Sequence, residues 1–209
     1  PSAVRFSIAV SDYTVDGKLQ PGTITVAGSG QRPLPLSAGG QLQLFASVIE
    51  QGGSLSAPLG SIQLGWDGAG TAPVDLITGK AVAATRSLTL LSGSRTSVSA
   101  LDPITGKEAL IPYGLFANGN AWIDPAGTDI TAGGLSGKKI QLGAARIGVD
   151  SGAVVDFRGG GDLMAYRWVS GLGGTQDILA SQNLFAVVPG YTAEFAPYAP
   201  FSGDVSATN

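Results

Sequence analysis

The sequence predicts an all-β protein of the parallel β-solenoid type, in which the chain winds in coils that stack on one another. A short alternating phrase occurs twice, at 41–46 and 139–144, and each copy leads into a second apolar patch and a Gly-rich turn. Glycine supplies 32 of the 209 residues, which suits a chain with many tight turns. No window keeps helical spacing over three turns without an interrupting Gly or Pro.

The composition excludes several classes of function. Hydrophobic residues make up 44% of the chain and charged residues only 13%, so a packed core is expected rather than a disordered polar chain. The net charge is −3 and the basic residues are scattered, which gives nucleic-acid binding no electrostatic support. The absence of Cys rules out disulfides and thiolate metal sites, and the absence of His removes the usual general base near neutral pH. We therefore expect no cofactor. The sequence also has no run of about 20 apolar residues, so no segment is expected to span a membrane as a helix.

Residues 1–36 form an amino-terminal segment of strands and an irregular connection. The alternation at 3–10 and at 22–26 predicts two strands, and Asp16-Gly17 predicts a turn between them. The Gly- and Pro-rich stretch that follows predicts a loop. The sequence leaves open whether this segment joins the stacked coils.

Residues 37–165 carry the coils. We expect a first coil at 41–64, a second at about 80–100 and a third at 138–165. Like side chains should stack between coils, with Leu42 over Ile62 in the first coil. The same reasoning places Ile140 over Leu163 in the third.

Turn formers interrupt the coils between 101 and 134, which predicts an excursion that contains a short hairpin. The stretch 166–209 loses the period and is rich in Tyr, Pro and Gly, so it is expected to be an irregular tail. The chain opens at Pro1 without Met or a charged-then-apolar leader, and we expect a mature or proteolysed product or a piece cut from a longer polypeptide.

The carboxyl-terminal third resembles large secreted proteins of the filamentous-haemagglutinin type. The residues that carry the resemblance are 147–156, 159–168 and 171–179, and the similarity extends over about 40–200. It implies a right-handed parallel β-helix, export by two-partner secretion through an outer-membrane transporter, and an extracellular or cell-surface place on a Gram-negative bacterium. It also implies a role in adhesion or biofilm. The chain lacks the amino-terminal secretion domain of such proteins, so the resemblance points to an internal or distal segment.

Aromatic side chains are the candidate binding residues, because aromatic rings on an exposed face can stack on sugars or on another protein. The alternative is that they fasten loops and the tail onto the coils. The five candidates are Trp66, Tyr113, Trp122, Tyr166 and Trp168.

Asp150 and Asp156 flank one turn of the third coil, and paired carboxylates can perform acid–base chemistry on a glycosidic bond. The simpler interpretation makes them turn residues that bind the backbone. The loop 12–18 resembles a calcium loop but lacks its middle oxygen ligand and its distal Glu. No catalytic or metal-binding residue is assigned.

These observations predict a structural or adhesive segment without enzymatic activity. Its expected partners are a cell-surface glycan or protein, flanking coils of the same or another chain, and the export transporter. Two alternatives remain open, a carbohydrate-active enzyme on a β-helix and a filament-forming structural subunit.

Overall fold

The computed structural model describes residues 4–28, 30, 32–35, 37–117, 120–134 and 137–167. Those residues form sixteen β-strands and contain no helix.

The chain divides into two compact units. The stacked unit comprises 3–109 and 135–162, and the hairpin unit comprises 1–2, 110–134 and 163–209. In chain order the strands are β1 (Arg5–Val10), β2 (Tyr13–Val15), β3 (Lys18–Gln20), β4 (Thr23–Val26), β5 (Gln41–Ala46), β6 (Val48–Gln51), β7 (Ser54–Ser56), β8 (Ser61–Leu64), β9 (Ser87–Leu90), β10 (Arg95–Ser97), β11 (Leu110–Ala117), β12 (Ala121–Ile123), β13 (Lys139–Leu142), β14 (Arg146–Val149), β15 (Val154–Asp156) and β16 (Asp162–Tyr166).

Three parallel sheets build the stacked unit. The first has the strand order β1-β5-β8-β13, the second β4-β6-β9-β14, and the third β7-β10-β15. The first and second sheets take one strand from each of four successive passes of the chain, and the third takes one from each of the last three. We call these passes one (β1 and β4), two (β5–β7), three (β8–β10) and four (β13–β15). An all-β chain with parallel sheets of this order is compatible with the expected solenoid.

The recurring phrase sets the register of the first sheet. Leu42 pairs with Ile62, as predicted, and Ile62 pairs in turn with Ile140. The predicted stacking of Ile140 on Leu163 is wrong. Leu163 lies in β16, which belongs to the sheet of β11 and β12, so the alternation that suggested another coil serves a different sheet.

The core lies between the three sheets, where inward side chains of successive passes stack like on like. Leu44 and Leu64 form one buried column in the first sheet, and Ile49 and Leu88 form another in the second. Full burial of each such aliphatic side chain contributes about 1.5–3 kcal/mol before ordering costs are counted. On the outer face Gln43 donates its side-chain amide to Gln63 at 3.1 Å, so the polar positions stack as well.

The second predicted coil begins earlier than expected. Its first strand is β8, not the apolar pair Val82 and Ala84, which lie outside any strand. Residues 65–86 form an insertion between β8 and β9. Val82 is nevertheless buried, and this explains why its surroundings resemble a strand in the sequence.

The amino-terminal strands join the stack, because β1 pairs with β5 and β4 pairs with β6. Between them β2 and β3 form an antiparallel hairpin. Asp16 and Gly17 make its two-residue turn, and both have positive φ, 48° and 71°. This geometry is that of a type I′ turn, so the predicted Asp-Gly turn is confirmed.

The hairpin unit holds a three-stranded sheet in the order β12-β11-β16. Strands β11 and β12 are antiparallel, with Phe116 opposite Trp122. The hairpin predicted within 101–134 is therefore present. The predicted tail, from 168 onward, lies outside the described residues.

Candidate functional site

Two exposed turns of the stacked unit repeat one motif, Asp-x-Ile-Thr-Gly-Lys, at 75–80 and 102–107. In the first turn Oδ1 of Asp75 accepts the backbone N–H groups of Ile77 and Thr78, at 2.9 and 3.2 Å. In the second, Oδ1 of Asp102 accepts the equivalent N–H groups at 2.7 and 2.9 Å. Further backbone bonds close both turns in the same way, from Asp N–H to the Lys carbonyl and from Gly N–H to the Asp carbonyl. The same six-residue motif thus folds into the same hydrogen-bonded turn twice.

The carboxylates of the two turns are held in their charged form. The backbone N–H of Ile77 is the main cause that lowers the pKa of Asp75, and the backbone N–H of Thr105 has the same effect on the pKa of Asp102. Burial opposes both shifts without reversing them. Each aspartate therefore stays ionised at neutral pH and keeps its turn closed.

The first turn is also fastened to pass one. Oδ2 of Asp75 accepts the backbone N–H of Ser11 at 3.3 Å and the Ser11 hydroxyl at 3.1 Å. The Ser11 hydroxyl lies 3.1 Å from the hydroxyl of Thr78. These bonds anchor the turn of the insertion to the residue that follows β1.

Apolar side chains occupy the tips of both turns. Leu76 is 86% exposed, Ile77 is 96% exposed and Ile104 is more than half exposed. Large apolar side chains held outward on rigid turns are well suited to contact another surface, since little ordering entropy is lost on binding. These residues are not among the candidates predicted from the sequence, because those candidates are all aromatic. The recurrence of the Asp-x-Ile-Thr-Gly-Lys motif is the signal that could have found them.

Among the predicted aromatic residues, Trp66 lies in the stacked unit and is half-buried. Its indole N–H donates to the carbonyl of Ala69 at 2.6 Å, and its backbone N–H donates to the Thr85 hydroxyl at 3.0 Å. Thr85 in turn donates its hydroxyl to the carbonyl of Ala46 at 2.7 Å. These contacts tie the two ends of the insertion to β5, so the geometry favours fastening over ligand binding.

The structure brings two other predicted residues together in the hairpin unit. The indole N–H of Trp122 donates to the carbonyl of Tyr113 at 2.6 Å. Tyr113 is only 6% exposed, and burial, followed by the charge of Asp124, raises the pKa of its hydroxyl. Tyr166 is half-buried in β16, and burial raises its pKa too. Trp168 lies outside the described residues. The buried ring of Tyr113 presents little surface to a ligand.

The carboxylate of Asp156 is buried and forms ion pairs with two arginines. Arg158 binds both carboxylate oxygens, at 2.9 and 3.0 Å, and Arg95 forms a second ion pair with Oδ2. The side-chain hydrogen bond from Arg158 is the largest of the effects that lower the pKa of Asp156. Asp150 is exposed. Its carbonyl accepts the N–H of Ala153 in the turn that precedes β15, and its backbone N–H donates to the carbonyl of Leu90 on pass three. A doubly paired carboxylate with a lowered pKa does not suit a proton donor, which favours a structural role for Asp156.

The loop that resembles a calcium site is used structurally. Oδ1 of Asp12 accepts the backbone N–H of Gly22 at 2.8 Å and the hydroxyl of Ser47, while Asp16 lies in the hairpin turn. Within the described ranges no group of three acidic side chains is arranged to hold a metal ion. The same ranges contain no helix that is long and apolar enough to cross a membrane.

Comparison with protein-family models, curated proteins and solved structures finds no match for this chain. The functional interpretation consequently depends on the geometry described above.

Proposed function

We propose that this chain is a structural and adhesive segment of a secreted surface protein, built as a right-handed parallel β-helix. The observation that carries the proposal is the pair of turns with one shared motif that hold exposed Leu and Ile side chains beside parallel sheets in register. A solenoid of this kind extends by adding coils, and its corners are free to carry loops. Attachment through displayed loops needs no pocket and no catalytic group.

The proposed setting is the extracellular surface of a Gram-negative bacterium, where the segment would act in surface attachment or biofilm after export through an outer-membrane transporter. The resemblance of 140–200 to filamentous-haemagglutinin-type proteins supports this setting. A chain without cysteine is also compatible with export in an unfolded form, since no disulfide can form early.

We expect the double substitution Leu76→Ser and Ile77→Ser to reduce attachment about fivefold or more, because it removes the most exposed apolar contact surface. The turn itself should survive, since its hydrogen bonds come from the backbone and from Asp75. The measurement is binding of labelled purified protein to cultured epithelial cells, polystyrene and glass, with thermal unfolding recorded beside it.

Leu19→Ser is the matched control, since Leu19 is an exposed apolar residue on the β2–β3 hairpin, outside both turns. An equal loss in Leu19→Ser would show that attachment depends on general hydrophobicity. Absence of attachment by the unmodified protein to all of these surfaces would refute the adhesive role.

A second candidate function, a filament-forming subunit, is favoured by the two ends of the stack. Pass one exposes Phe6 and Ile8 although both are in register with the interior columns, and Phe6 is 55% exposed. Pass four exposes Ile147 and Val149 in the same way, and Val149 is 60% exposed. Both ends also leave strand edges unpaired among the described residues, which is a template for further parallel pairing.

A second copy of the chain fits these ends. Seating β1 of one copy against β13 of the next would continue the existing column, with Phe6 beside Ile140 and Ile8 beside Leu142. Because the two ends differ, the contact is head-to-tail. It would repeat along the direction in which the strands already stack, so it would add copies in a line and generate filaments.

We expect Val149→Lys to shorten or abolish such filaments, because a charge would be buried at every junction. Electron microscopy and analytical ultracentrifugation at rising protein concentration measure this, with Leu19→Lys as the control. A chain that stays monomeric at high concentration would exclude the filament candidate and leave the adhesive proposal in place.

A further inference from the structure

A shallow groove of about 410 Å³ lies on the outer face of the stacked unit, where the first sheet turns into the second. Two arginines from successive passes border it, Arg86 at the end of the insertion and Arg146 at the start of β14. The backbone N–H of Arg146 donates to the carbonyl of Arg86 at 3.1 Å, so the two residues lie on directly neighbouring passes. The remaining lining residues are Pro21, Val48, Ser87 and Ala145.

Neither guanidinium has a partner within the described part of the chain, whereas Arg95 and Arg158 both pair with Asp156. The groove lining contains no acidic residue. On the same face the next carboxylate along β6 is Glu50, and it accepts a hydrogen bond from the Thr25 hydroxyl at 3.3 Å. Two adjacent unpaired positive charges repel each other, so the groove favours a ligand that carries negative charge.

We propose that this groove binds an acidic polysaccharide of the polyuronate class, with Arg86 and Arg146 each pairing with a carboxylate. The inference rests on the proposed adhesive function, to which it adds a ligand class. The planar guanidinium matches a carboxylate through two parallel N–H···O bonds, and that geometry is the reason to prefer a uronate over a neutral sugar.

The lining of the groove supports a sugar chain over an acidic peptide. Neighbouring strands of a sheet lie about 4.8 Å apart, so one short stretch of ligand can reach the arginines of both passes. A polyuronate carries one carboxylate on every unit, so a short stretch supplies more than one anion. Pro21, Val48 and Ala145 add a small apolar floor for a sugar ring, and the Ser87 hydroxyl can donate or accept a hydrogen bond.

The test is binding of the full chain to polygalacturonate by isothermal titration calorimetry, with neutral dextran, dextran sulfate and polyglutamate as further probes. We expect binding to polygalacturonate, no binding to dextran, and weakening as salt rises from low to physiological concentration. Arg86→Gln and Arg146→Gln should each weaken binding about tenfold, and the double variant should abolish it. Lys139→Gln removes the same charge from an exposed residue at the start of β13, outside the groove and outside both turns, and should change the affinity less than about twofold.

Preference for dextran sulfate or polyglutamate over polygalacturonate would overturn the uronate assignment. Equal weakening by Lys139→Gln would show that only net charge matters, which overturns the site. Attachment to cells without any polyuronate binding would refute this inference while leaving the adhesive function intact, and loss of both would refute the two together.

Discussion

Substitution of Gly60 by Ala is expected to destabilise the stacked unit by about 3 kcal/mol or more. A Cβ atom at this position would lie 2.0 Å from the carbonyl oxygen of Gly40 and 2.7 Å from its nitrogen. Both neighbours are backbone atoms, so no side-chain rotation can relieve the overlap. The strands on either side of the junction would have to separate.

The loss of stability is large because Gly40 and Gly60 both form backbone hydrogen bonds between neighbouring passes. The carbonyl oxygen of Gly40 accepts the N–H of Ser61 at 2.9 Å, which is the first bond that joins β5 to β8. The carbonyl of Gly60 accepts the N–H of Lys139 at 3.1 Å and so joins β8 to β13. One methyl group thereby disturbs the contacts among three successive passes.

Thermal unfolding measures this prediction, and a loss of about 3 kcal/mol corresponds to a midpoint about 6–12 °C lower in a chain of this size. Gly137→Ala is the matched control. Gly137 precedes β13 and adopts no positive φ, and a methyl group on its Cα would meet no atom within 4 Å. Its substitution should change the free energy of unfolding by less than about 0.5 kcal/mol. Equal midpoints for the two variants would show that the passes are not in close contact at Gly60.

The register of the first sheet was predictable because it follows from side-chain alternation. A strand that buries one face must keep its apolar residues in phase with those of its neighbour, and a slip by one residue would expose them all. Leu42 and Ile62 obey this rule and are paired. Leu163 obeys the same alternation but pairs elsewhere, because alternation indicates a half-buried strand and not the sheet to which it belongs.

The buried Gln51 shows a second limit of pattern reasoning. It occupies an inward position of β6, in line with Leu90, and is fully buried. Its amide donates to the carbonyls of Gly53 and Arg95 at 3.0 and 3.1 Å, and its oxygen accepts the N–H of Gly53 at 3.0 Å. A polar residue is tolerated in the core when its hydrogen bonds are made, and composition alone cannot reveal such partners.

The candidate site was harder to predict than the fold. The aromatic residues are predicted to bind because their rings can stack on sugars, yet Tyr113 is buried, and Trp66 and Trp122 donate their indole N–H groups to nearby carbonyls. A single aliphatic residue in a Gly-rich loop carries no chemical signal, so the sequence alone does not predict the exposed Ile77 as a binding residue. Comparison of the two Asp-x-Ile-Thr-Gly-Lys segments would have drawn attention to it.

Substitution of Asp156 by Asn is expected to cost about 2–3 kcal/mol of stability. The carboxylate is buried, binds Arg158 through two side-chain bonds, and pairs with Arg95, which is itself mostly buried. An amide is neutral and accepts at one oxygen only, so Arg95 and Arg158 both lose their anionic partner and the amide N–H₂ group faces a guanidinium donor. Asp150→Asn is the control, because Asp150 is exposed and should tolerate the change within about 0.5 kcal/mol.

The difference in the free energy of unfolding between wild type and Asp156→Asn should also depend on pH. The ion pairs of the carboxylate determine the direction of that dependence. Hydrogen bonding to Arg158 lowers the pKa of Asp156 below its unfolded value of 3.8, so the folded state binds a proton less readily than the unfolded state. The carboxylate therefore contributes its full stability above about pH 5, and that contribution is lost as the pH falls below 3.8 and through the folded pKa. Urea unfolding of both proteins between pH 7 and pH 2.5 measures the difference directly, and subtraction removes the parallel titration of Asp75 and Asp102. A difference that stays constant over this range would mean that Asp156 does not depend on its charge to hold β15 against β10.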